Sequence, residues 1–237
     1  YIKKNTSILR ENEIIKKVES AGEGNMNVVL RIKTNFKSFI LKQSRSHVKK
    51  FAHIIAPLNR IFAEHCFYNL VKKNFSPKVL GFISEDYVLF LEDLTKCRDL
   101  NYIYNSRKID NDKVNKLTLI LHNIHITSAH KNYPTNLTLR KLNHDHIFVL
   151  PFLKDNGLQL NNIQEGLEEL AIPFKENTDI ISRVNNAGKN YLDTGSTLLH
   201  GDYYPGSWME RNDNIYIIDP EFTFLGSKEF DLGVMCG

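Results

Sequence analysis

The segment HGDYYPGSW at positions 200–208 restricts the fold of this chain more than any other part of its sequence. Gly201, Pro205 and Gly206 interrupt helical and strand patterns alike, so the segment is expected to form an irregular loop. Apolar residues precede and follow it, which predicts that ordered elements hold the loop on both sides. Loops held in this way often carry catalytic groups, and Asp202 is the candidate here.

The composition is that of a globular protein with one large domain or two small lobes. The chain has 237 residues, of which 42% are hydrophobic and 24% charged. No apolar stretch reaches the roughly 20 residues of a membrane span, and the N-terminus does not resemble a secretory signal. A net charge of +4, from 31 basic and 27 acidic residues, fits a phosphate-bearing small molecule as partner and disfavours nucleic acid.

The spacing of the cysteines and histidines in the sequence does not indicate a metal site. Cys66, Cys97 and Cys236 are widely spaced and odd in number, which predicts neither a disulfide framework nor a CxxC site. A reducing, cytoplasmic location is the natural expectation. The histidine pairs at 121–125 (LHNIH) and 144–146 (HDH) lack the third ligand of a zinc site and are interpreted as ordinary histidines. The oligomeric state cannot be read from the sequence.

Hydrophobic periodicity predicts strands in the first half of the chain and helices in the second. Up to residue 94 the predicted elements are a helix over 7–18 with Ser7 as its cap, a hairpin of strands at 28–34 and 37–43, a helix over 58–71, and two strands within 76–94. Beyond it they are helices over 114–129 and 178–192, a short strand at 207–209, and a strand at 215–219. This order predicts an α+β fold with a β-rich N-lobe over 1–94 and a mainly helical C-lobe over 95–237.

Two features of the first half suggest a nucleotide site. Gly22, Gly24 and Asn25 precede a strand, as in the glycine-rich loops that cover phosphates in kinases; a plain hairpin turn is the alternative. A Rossmann loop would instead be followed by a helix. Lys42 lies late in an apolar strand and Glu64 lies in the next helix among apolar residues. Each could be a solvated charge, but their order matches the lysine–glutamate pair that positions phosphates in kinases.

The opening segment continues into a pattern of acidic residues. In kinases the catalytic loop has the form H-R-D-x-x-x-x-N, where the aspartate meets the substrate hydroxyl and the asparagine helps to hold magnesium. Asp202 takes the aspartate position here, and Ser207 takes that of the asparagine. Asp219 and Glu221 follow a strand, with Asp219 17 residues beyond Asp202. Two acids at this spacing can turn toward one hard cation, which predicts a site for phosphoryl transfer.

These motifs resemble the aminoglycoside phosphotransferase and choline kinase superfamily. The resemblance rests on LLHGDYYPGSWM and IIDPEFTFLGSKEFDLG, and the HGDxxxGS and DPEF forms look most like the methylthioribose kinase branch. EGNMNVVLRI, ILKQ and LNHDHIFVLPF are similar to that branch as well. The resemblance implies a two-lobed protein-kinase-like fold. It also implies transfer of the γ-phosphate of ATP, with Mg²⁺, to a hydroxyl of a small molecule such as a methylthioribose-like sugar.

The resemblance further implies a role for each matching position. Asp202 would be the catalytic base or the group that orients the hydroxyl. Lys42, paired with Glu64, would meet the α- and β-phosphates, and the backbone from Glu92 to Leu94 would bind adenine. The implied nucleotide contacts are Gly22, Gly24, Asn25, Lys42, Glu64, Glu92 and Leu94, and the implied magnesium ligands are Asp219, Glu221 and Ser207.

Departures from the family pattern leave other functions open. Tyr203, Tyr204 and Pro205 replace the Leu-His-Thr expected of a methylthioribose kinase near the acceptor. The chain ends six residues after Asp231, whereas family members continue, so a C-lobe incomplete at its C-terminal end is expected. A pseudokinase that binds nucleotide without transferring phosphate, and a kinase of the aminoglycoside or choline type, are the alternatives.

Overall fold

The N-terminal half builds an antiparallel sheet of five strands. The computed structural model describes residues 2, 8–22, 24–130 and 132–237. In chain order this half contains β1 (Ile15–Ser20), β2 (Asn27–Thr34), β3 (Ser38–Ser44), β4 (His47–Val48), β5 (Phe51–Ile55), α1 (Arg60–Leu70), β6 (Val79–Ile83) and β7 (Val88–Glu92). The sheet has the order β1-β2-β3-β7-β6, and β4 and β5 form a separate two-stranded ribbon. We call this half the N-lobe.

Alternation along β3 decides which side chains reach the site. Phe39 and Leu41 are buried in a small core on one face of the sheet. The residues between and after them point to the other face, because successive side chains of a strand alternate. That face is covered by α1, where Ile61 and Phe67 belong to the main core. This alternation places Lys42 on the α1 side.

The second half, which we call the C-lobe, is mainly helical with short strands. Its elements are β8 (Arg98–Asp99), α2 (Tyr102–Ser106), α3 (Asn111–His125), α4 (Leu137–His144), α5 (Leu167–Glu176), α6 (Thr178–Leu192), β9 (Thr197–Leu199), β10 (Trp208–Arg211), β11 (Asn214–Ile217), β12 (Phe224–Gly226) and α7 (Glu229–Cys236). The strands form two small sheets, β11-β10-β8 and β12-β9. Between β9 and β10, and between β11 and β12, the chain forms the loops that carry the predicted acids.

Helix α3 supports these loops by packing against the strands that precede them. Asp110 caps its N-terminus by accepting a hydrogen bond from the Lys113 amide at 2.7 Å. Leu117, Leu121 and Ile124 recur at helical spacing and are buried in the main core. That core also contains residues of β9 and β11. Packing of α3 against these strands therefore supports both loops.

Most elements of the predicted order are confirmed. The structure contains the β2–β3 hairpin, the helix at 60–70, the two strands β6 and β7, the helices α3 and α6, and the strands β10 and β11. The bounds differ by a few residues, most for α3, which ends at His125 and not at residue 129. Within the described residues, no helix is both long and apolar enough to cross a bilayer. The three cysteines are free thiols.

The predicted helix over 7–18 is wrong. Ile15–Ser20 is the edge strand β1, which pairs with β2 so that Val18 lies opposite Ile32. Ile14 and Val18 are each 52% exposed, so these apolar side chains do not form a buried helical stripe. Pairing with the open edge of β2 satisfies the backbone here and overrides the periodicity. Ser7, the predicted cap, lies outside the described residues.

The small core of the N-lobe gives a direct test of its packing. Phe39 is fully buried, and its ring lies 6.1 Å from that of Phe90 between centroids. Phe39→Ala should lower the free energy of unfolding by about 3–5 kcal/mol, because it removes a buried ring and leaves a cavity. Phe174→Ala is the matched control, since Phe174 is 58% exposed, and should change it by about 0.5 kcal/mol or less. Urea unfolding measures both, and equal losses would contradict the packing described here.

Candidate active site

A cleft of about 580 Å³ lies between the two lobes and gathers nearly all the predicted site residues. Its walls come from the loop after β1, from β3 and α1, from the end of β7, and from the loops before β10 and after β11. The predicted residues that line it are Gly22, Gly24, Asn25, Lys42, Glu64, Glu92, Leu94, Asp202, Asp219 and Glu221. Ser207 is buried and is not among the residues that line the cleft.

The glycine-rich loop connects two antiparallel strands, as in a kinase and unlike a Rossmann fold. Gly22, Gly24 and Asn25 lie between β1 and β2. A Cβ atom at Gly24 would lie 2.8 Å from the Asn27 carbonyl oxygen, so this position accepts a side chain only if the backbone moves. At Gly22 a Cβ atom would meet no atom of the described residues within 4 Å. Gly24 therefore has a steric reason to be glycine, and Gly22 has none.

Lys42 is buried between one carboxylate from its own lobe and one from the other. Its Nζ lies 2.7 Å from Glu64 Oε2 on α1 and also forms an ion pair with Asp219. The side chains of Lys42 and Glu64 are 5% and 1% exposed, whereas that of Asp219 is 49% exposed. Burial opposes the charge of Lys42, but Asp219, Glu64 and Glu221 outweigh burial and raise its pKa. The predicted lysine–glutamate pair is therefore formed.

Burial also affects Glu64, the partner of Lys42 on α1. It raises the pKa of the Glu64 carboxyl group to about 7, although the Lys42 ammonium partly counteracts this rise. The pKa of Asp219 is lowered: partial burial of its half-exposed carboxylate works to raise it, but the attraction of Lys42 prevails. The two carboxylates thus share one cation unequally. Asp219 is the acid that stays ionised and faces the cleft.

A single carboxylate from α7 holds the loop between β9 and β10 in shape. Asp231 is fully buried and accepts hydrogen bonds at 2.9 Å from the amides of His200 and Gly201. Gly201 has φ of +84°, and a Cβ atom there would overlap the Phe222 carbonyl, so only glycine fits. The His200 ring accepts from the Asp202 amide at 3.2 Å and donates to the Ile218 carbonyl at 3.1 Å. His200 therefore holds the backbone of this loop in place.

Asp202 emerges from this loop into a strongly acidic environment. Burial, followed by the charges of Asp219, Glu221 and Asp231, raises the pKa of its carboxyl group to about 7. A general base is most effective when its pKa lies near the working pH. The loop geometry and the neighbouring acids thus give Asp202 the properties of a group that accepts a proton at neutral pH.

Asp219 and Glu221 leave β11 through an unusual backbone conformation. Asp219 has φ of +65°, and its amide donates to the Tyr68 hydroxyl at 2.9 Å. Aspartate is among the residues that tolerate this left-handed region. Glu221 is directed toward the N-lobe, where its Oε2 accepts from Arg60 Nε at 3.0 Å and from Asn27 Nδ2 at 2.8 Å. These two donors were not found by the sequence reasoning.

The donor chemistry at this position suits Mg²⁺ in the way that nucleotide enzymes use it. Among the described residues there is no group of three or more histidine, cysteine or acidic side chains placed to hold a metal ion by themselves. Mg²⁺ at a nucleotide site is usually bound by one or two carboxylates together with substrate phosphates and water. Asp219 and Glu221, both lining the cleft, fit that pattern.

The segment after β7 passes along the cleft where the adenine contact was predicted. Arg31 of β2 donates from Nε to both carboxylate oxygens of Asp93, at 3.1 and 3.0 Å. The Asp93 side chain is 1% exposed. Glu92 and Leu94, on either side, line the cleft. The arginine from β2 thereby fixes this segment against the sheet.

The raised pKa of Asp202 predicts how stability depends on pH. The folded state keeps the Asp202 proton up to about pH 7, whereas the unfolded chain loses it near the ordinary aspartate pKa of 3.8. Asp202 therefore makes stability fall as pH rises between those values, by no more than about 1.4 kcal/mol per pH unit. Asp202→Asn should gain stability relative to the unaltered protein across this window.

Urea unfolding from about pH 5 to about pH 8 measures this difference. Glu165→Gln, at an exposed position, is the control and should follow the unaltered protein at every pH. If the difference between Asp202→Asn and the unaltered protein does not change with pH, Asp202 is not the strained acid described here.

One sequence relative sets the scale of the similarity. The chain is 26% identical over 234 residues to the methylthioribose kinase of Exiguobacterium sibiricum. The alignment covers 91% of this chain and 58% of that kinase. It thus spans less than two thirds of that relative's length. No family model matches the chain.

Solved structures of small-molecule kinases confirm the two-lobed, protein-kinase-like fold. LicA, a choline kinase, in complex with AMP matches with a TM-score of 0.58 at 20% identity, over 98% of this chain and 71% of that one. A thermostable mutant of aminoglycoside phosphotransferase APH(4)-Ia matches with a TM-score of 0.52 at 9% identity, over 92% and 71%. In sequence and fold, this chain resembles the aminoglycoside phosphotransferase and choline kinase superfamily, with methylthioribose kinases among its relatives.

Proposed function

We propose that this protein is an ATP-dependent kinase that transfers the γ-phosphate to a hydroxyl group of a small molecule. The observation that carries the proposal is the buried Lys42–Glu64 pair, which meets Asp219 in the same cleft as Asp202. The lysine and glutamate belong to the N-lobe, and the two aspartates follow strands of the C-lobe. A site assembled in this way matches what phosphoryl transfer requires, namely phosphate positioning, charge neutralisation and orientation of a hydroxyl.

The N-lobe supplies the nucleotide contacts. Gly22, Gly24 and Asn25 cover the phosphates with their backbone, and Lys42, kept charged by its two carboxylates, binds the α- and β-phosphates. The backbone from Glu92 to Leu94 binds adenine, because this segment lines the cleft directly after β7. The match to LicA in complex with AMP supports an adenine nucleotide in this fold.

The C-lobe supplies the metal ligands. Asp219 and Glu221 would hold Mg²⁺, which would neutralise phosphate charge when bound. Ser207 was also predicted as a ligand, but its burial away from the cleft wall gives that assignment less support than the two acids.

Asp202 would act on the acceptor. Its carboxylate accepts the proton of the substrate hydroxyl, whose oxygen forms the new bond to the γ-phosphorus as the bond to the β-bridging oxygen breaks. A pKa of about 7 allows it to hold that proton and release it afterwards. Asp231 and His200 act through it, because they fix the backbone from which it projects.

The acceptor is proposed from the relatives. A methylthioribose-like sugar is the first candidate, since the matched sequence relative is named a methylthioribose kinase and the match covers 91% of this chain. A choline-type or aminoglycoside-type acceptor is the second candidate, supported by the two structural matches. The free cysteines are compatible with the reducing cytoplasm in which such a metabolic kinase would act.

Replacing the proposed base separates binding from transfer. Asp202→Asn keeps the shape of the side chain and should bind ADP with Mg²⁺ at least as well as the unaltered protein, because an anion near the phosphates is removed. Phosphate transfer should fall about 100- to 10,000-fold, since the hydroxyl loses its base. Calorimetric ADP binding and a coupled ADP-release assay measure the two quantities. Full turnover by the variant would remove Asp202 from the reaction.

The acceptor assignment is tested by a panel. ADP release from the protein, prepared with its full natural chain, is measured with methylthioribose, choline, homoserine and aminoglycosides. We expect activity with methylthioribose alone. Activity with another member would reassign the acceptor, and nucleotide binding with no transfer to any of them would favour a pseudokinase.

A further inference from the structure

Arg60 is a buried arginine that ties together the wall of the cleft on the N-lobe side. It is the first residue of α1 and is fully buried. Its Nη1 donates to the carbonyls of Arg45 at 3.1 Å and Pro57 at 2.7 Å. Its Nη2 donates to the Met26 carbonyl and to Asn27 Oδ1, the latter at 3.0 Å. The guanidinium thus connects the base of the glycine-rich loop with the turn after β3 and the start of α1.

The remaining donor of the same guanidinium crosses to the C-lobe. Arg60 Nε and Asn27 Nδ2 both donate to Glu221 Oε2, at 3.0 and 2.8 Å. Hydrogen bonds between a guanidinium and a carboxylate are charge-assisted and directional. Two donors on one oxygen fix the orientation of the carboxylate. Its second oxygen, Oε1, takes no part in these contacts, and Glu221 lines the cleft.

The position of Arg60 is unfavourable for the helix that carries it. The N-terminal turn of a helix has a partial positive charge and disfavours a cation. Burial of a guanidinium adds a large desolvation cost, and buried ion pairs can often be replaced by apolar side chains without loss of stability. Packing of α1 alone does not require an arginine at this position. The hydrogen bonds to Glu221 and to the loop do require one.

We propose that Arg60 is a positioning residue that couples the metal site to the glycine-rich loop. Through Glu221 Oε2 it presents Oε1 to the metal, and through the Met26 carbonyl and Asn27 it holds the base of the loop that covers the phosphates. The planar guanidinium of arginine can donate to Glu221 and to the loop at the same time, which the single ammonium group of a lysine cannot do. The inference rests on the proposed function, since it assigns Glu221 to the metal. Coupling of this kind is reciprocal, so metal binding also stabilises the loop.

Mn²⁺ in the presence of ADP is the probe for this coupling. Arg60→Met keeps an apolar stem of similar length and should weaken Mn²⁺ binding about 10- to 100-fold, as loss of a partner of a metal ligand typically does. Arg60→Lys keeps the charge but not the planar guanidinium, and should lose less. ADP affinity measured in EDTA should fall less than Mn²⁺ affinity in both, because Arg60 does not line the cleft and reaches the nucleotide only through the loop. Electron paramagnetic resonance of free Mn²⁺ and calorimetry measure the two affinities.

A second variant keeps the test decisive if Arg60→Met does not fold. Asn27→Leu removes the other donor to Glu221 with a side chain of similar size, and should also weaken Mn²⁺ binding. Arg140→Met is the matched control. Arg140 is another buried arginine, whose guanidinium donates to the carbonyls of Tyr191 and Asp193 in the C-lobe. Its loss should lower the melting temperature and leave Mn²⁺ affinity unchanged.

The outcomes separate the inference from the proposed function. Folded Arg60→Met and Asn27→Leu proteins with unchanged Mn²⁺ affinity would overturn the coupling, while phosphate transfer by the unaltered protein would still uphold the kinase. If Glu221→Gln leaves Mn²⁺ affinity unchanged, Glu221 does not hold the metal and the coupling is overturned in the same way. If the unaltered protein binds neither ADP nor Mn²⁺ with ADP, the proposed function fails and the coupling with it.

Discussion

The ammonium group of Lys42 is the charge on which the arrangement of both lobes depends. A buried cation is tolerated only when carboxylates surround it closely, and here Glu64 comes from α1 and Asp219 from the C-lobe. Removing one partner of such a buried pair typically costs about 3–5 kcal/mol, a large part of the 5–15 kcal/mol that holds a domain folded. The pair thus requires β3, α1 and the end of β11 to meet at one point. The cleft exists because these three elements converge there.

The acids around that point outnumber the cations. Glu64, Asp202, Asp219 and Glu221 line the cleft, while Lys42 and Arg60 are the cations bonded to them. Burial, with a further contribution from repulsion within this group, raises the pKa of Glu64 and of Asp202, each to about 7. A fold selected only for stability would not bury such an excess. Sites that must bind cationic or phosphate-bridging ligands commonly sacrifice stability in this way.

The sequence predicted the acids better than the groups that position them. Asp202, Asp219 and Lys42 are recognisable because phosphoryl transfer requires these residue types at strand ends and in a fixed order. Arg60 carried no such signal, since an arginine at the start of a helix is usually solvated and its partners are distant in sequence. Sequence patterns report only local spacing, and this also explains the wrong helix at 7–18. The spacing of Ile8, Ile14 and Val18 suits a helix, but the edge of β2 offers hydrogen bonds that the spacing does not reveal. Interactions between distant segments decided both cases.

Adjacent tyrosines in the catalytic loop show why the chemistry and the acceptor are separable. Tyr203 is fully buried, and its hydroxyl donates to the Leu117 carbonyl of α3 at 2.8 Å, so it anchors the loop. Tyr204 lines the cleft beside Asp202, and its ring occupies the space that a Cβ atom of Gly206 would need. Exchange of the first alters loop stability, whereas exchange of the second changes the side chain that faces the cleft. On the proposed function, a family can therefore keep one phosphoryl-transfer site and change its acceptor through single cleft-facing positions such as this one.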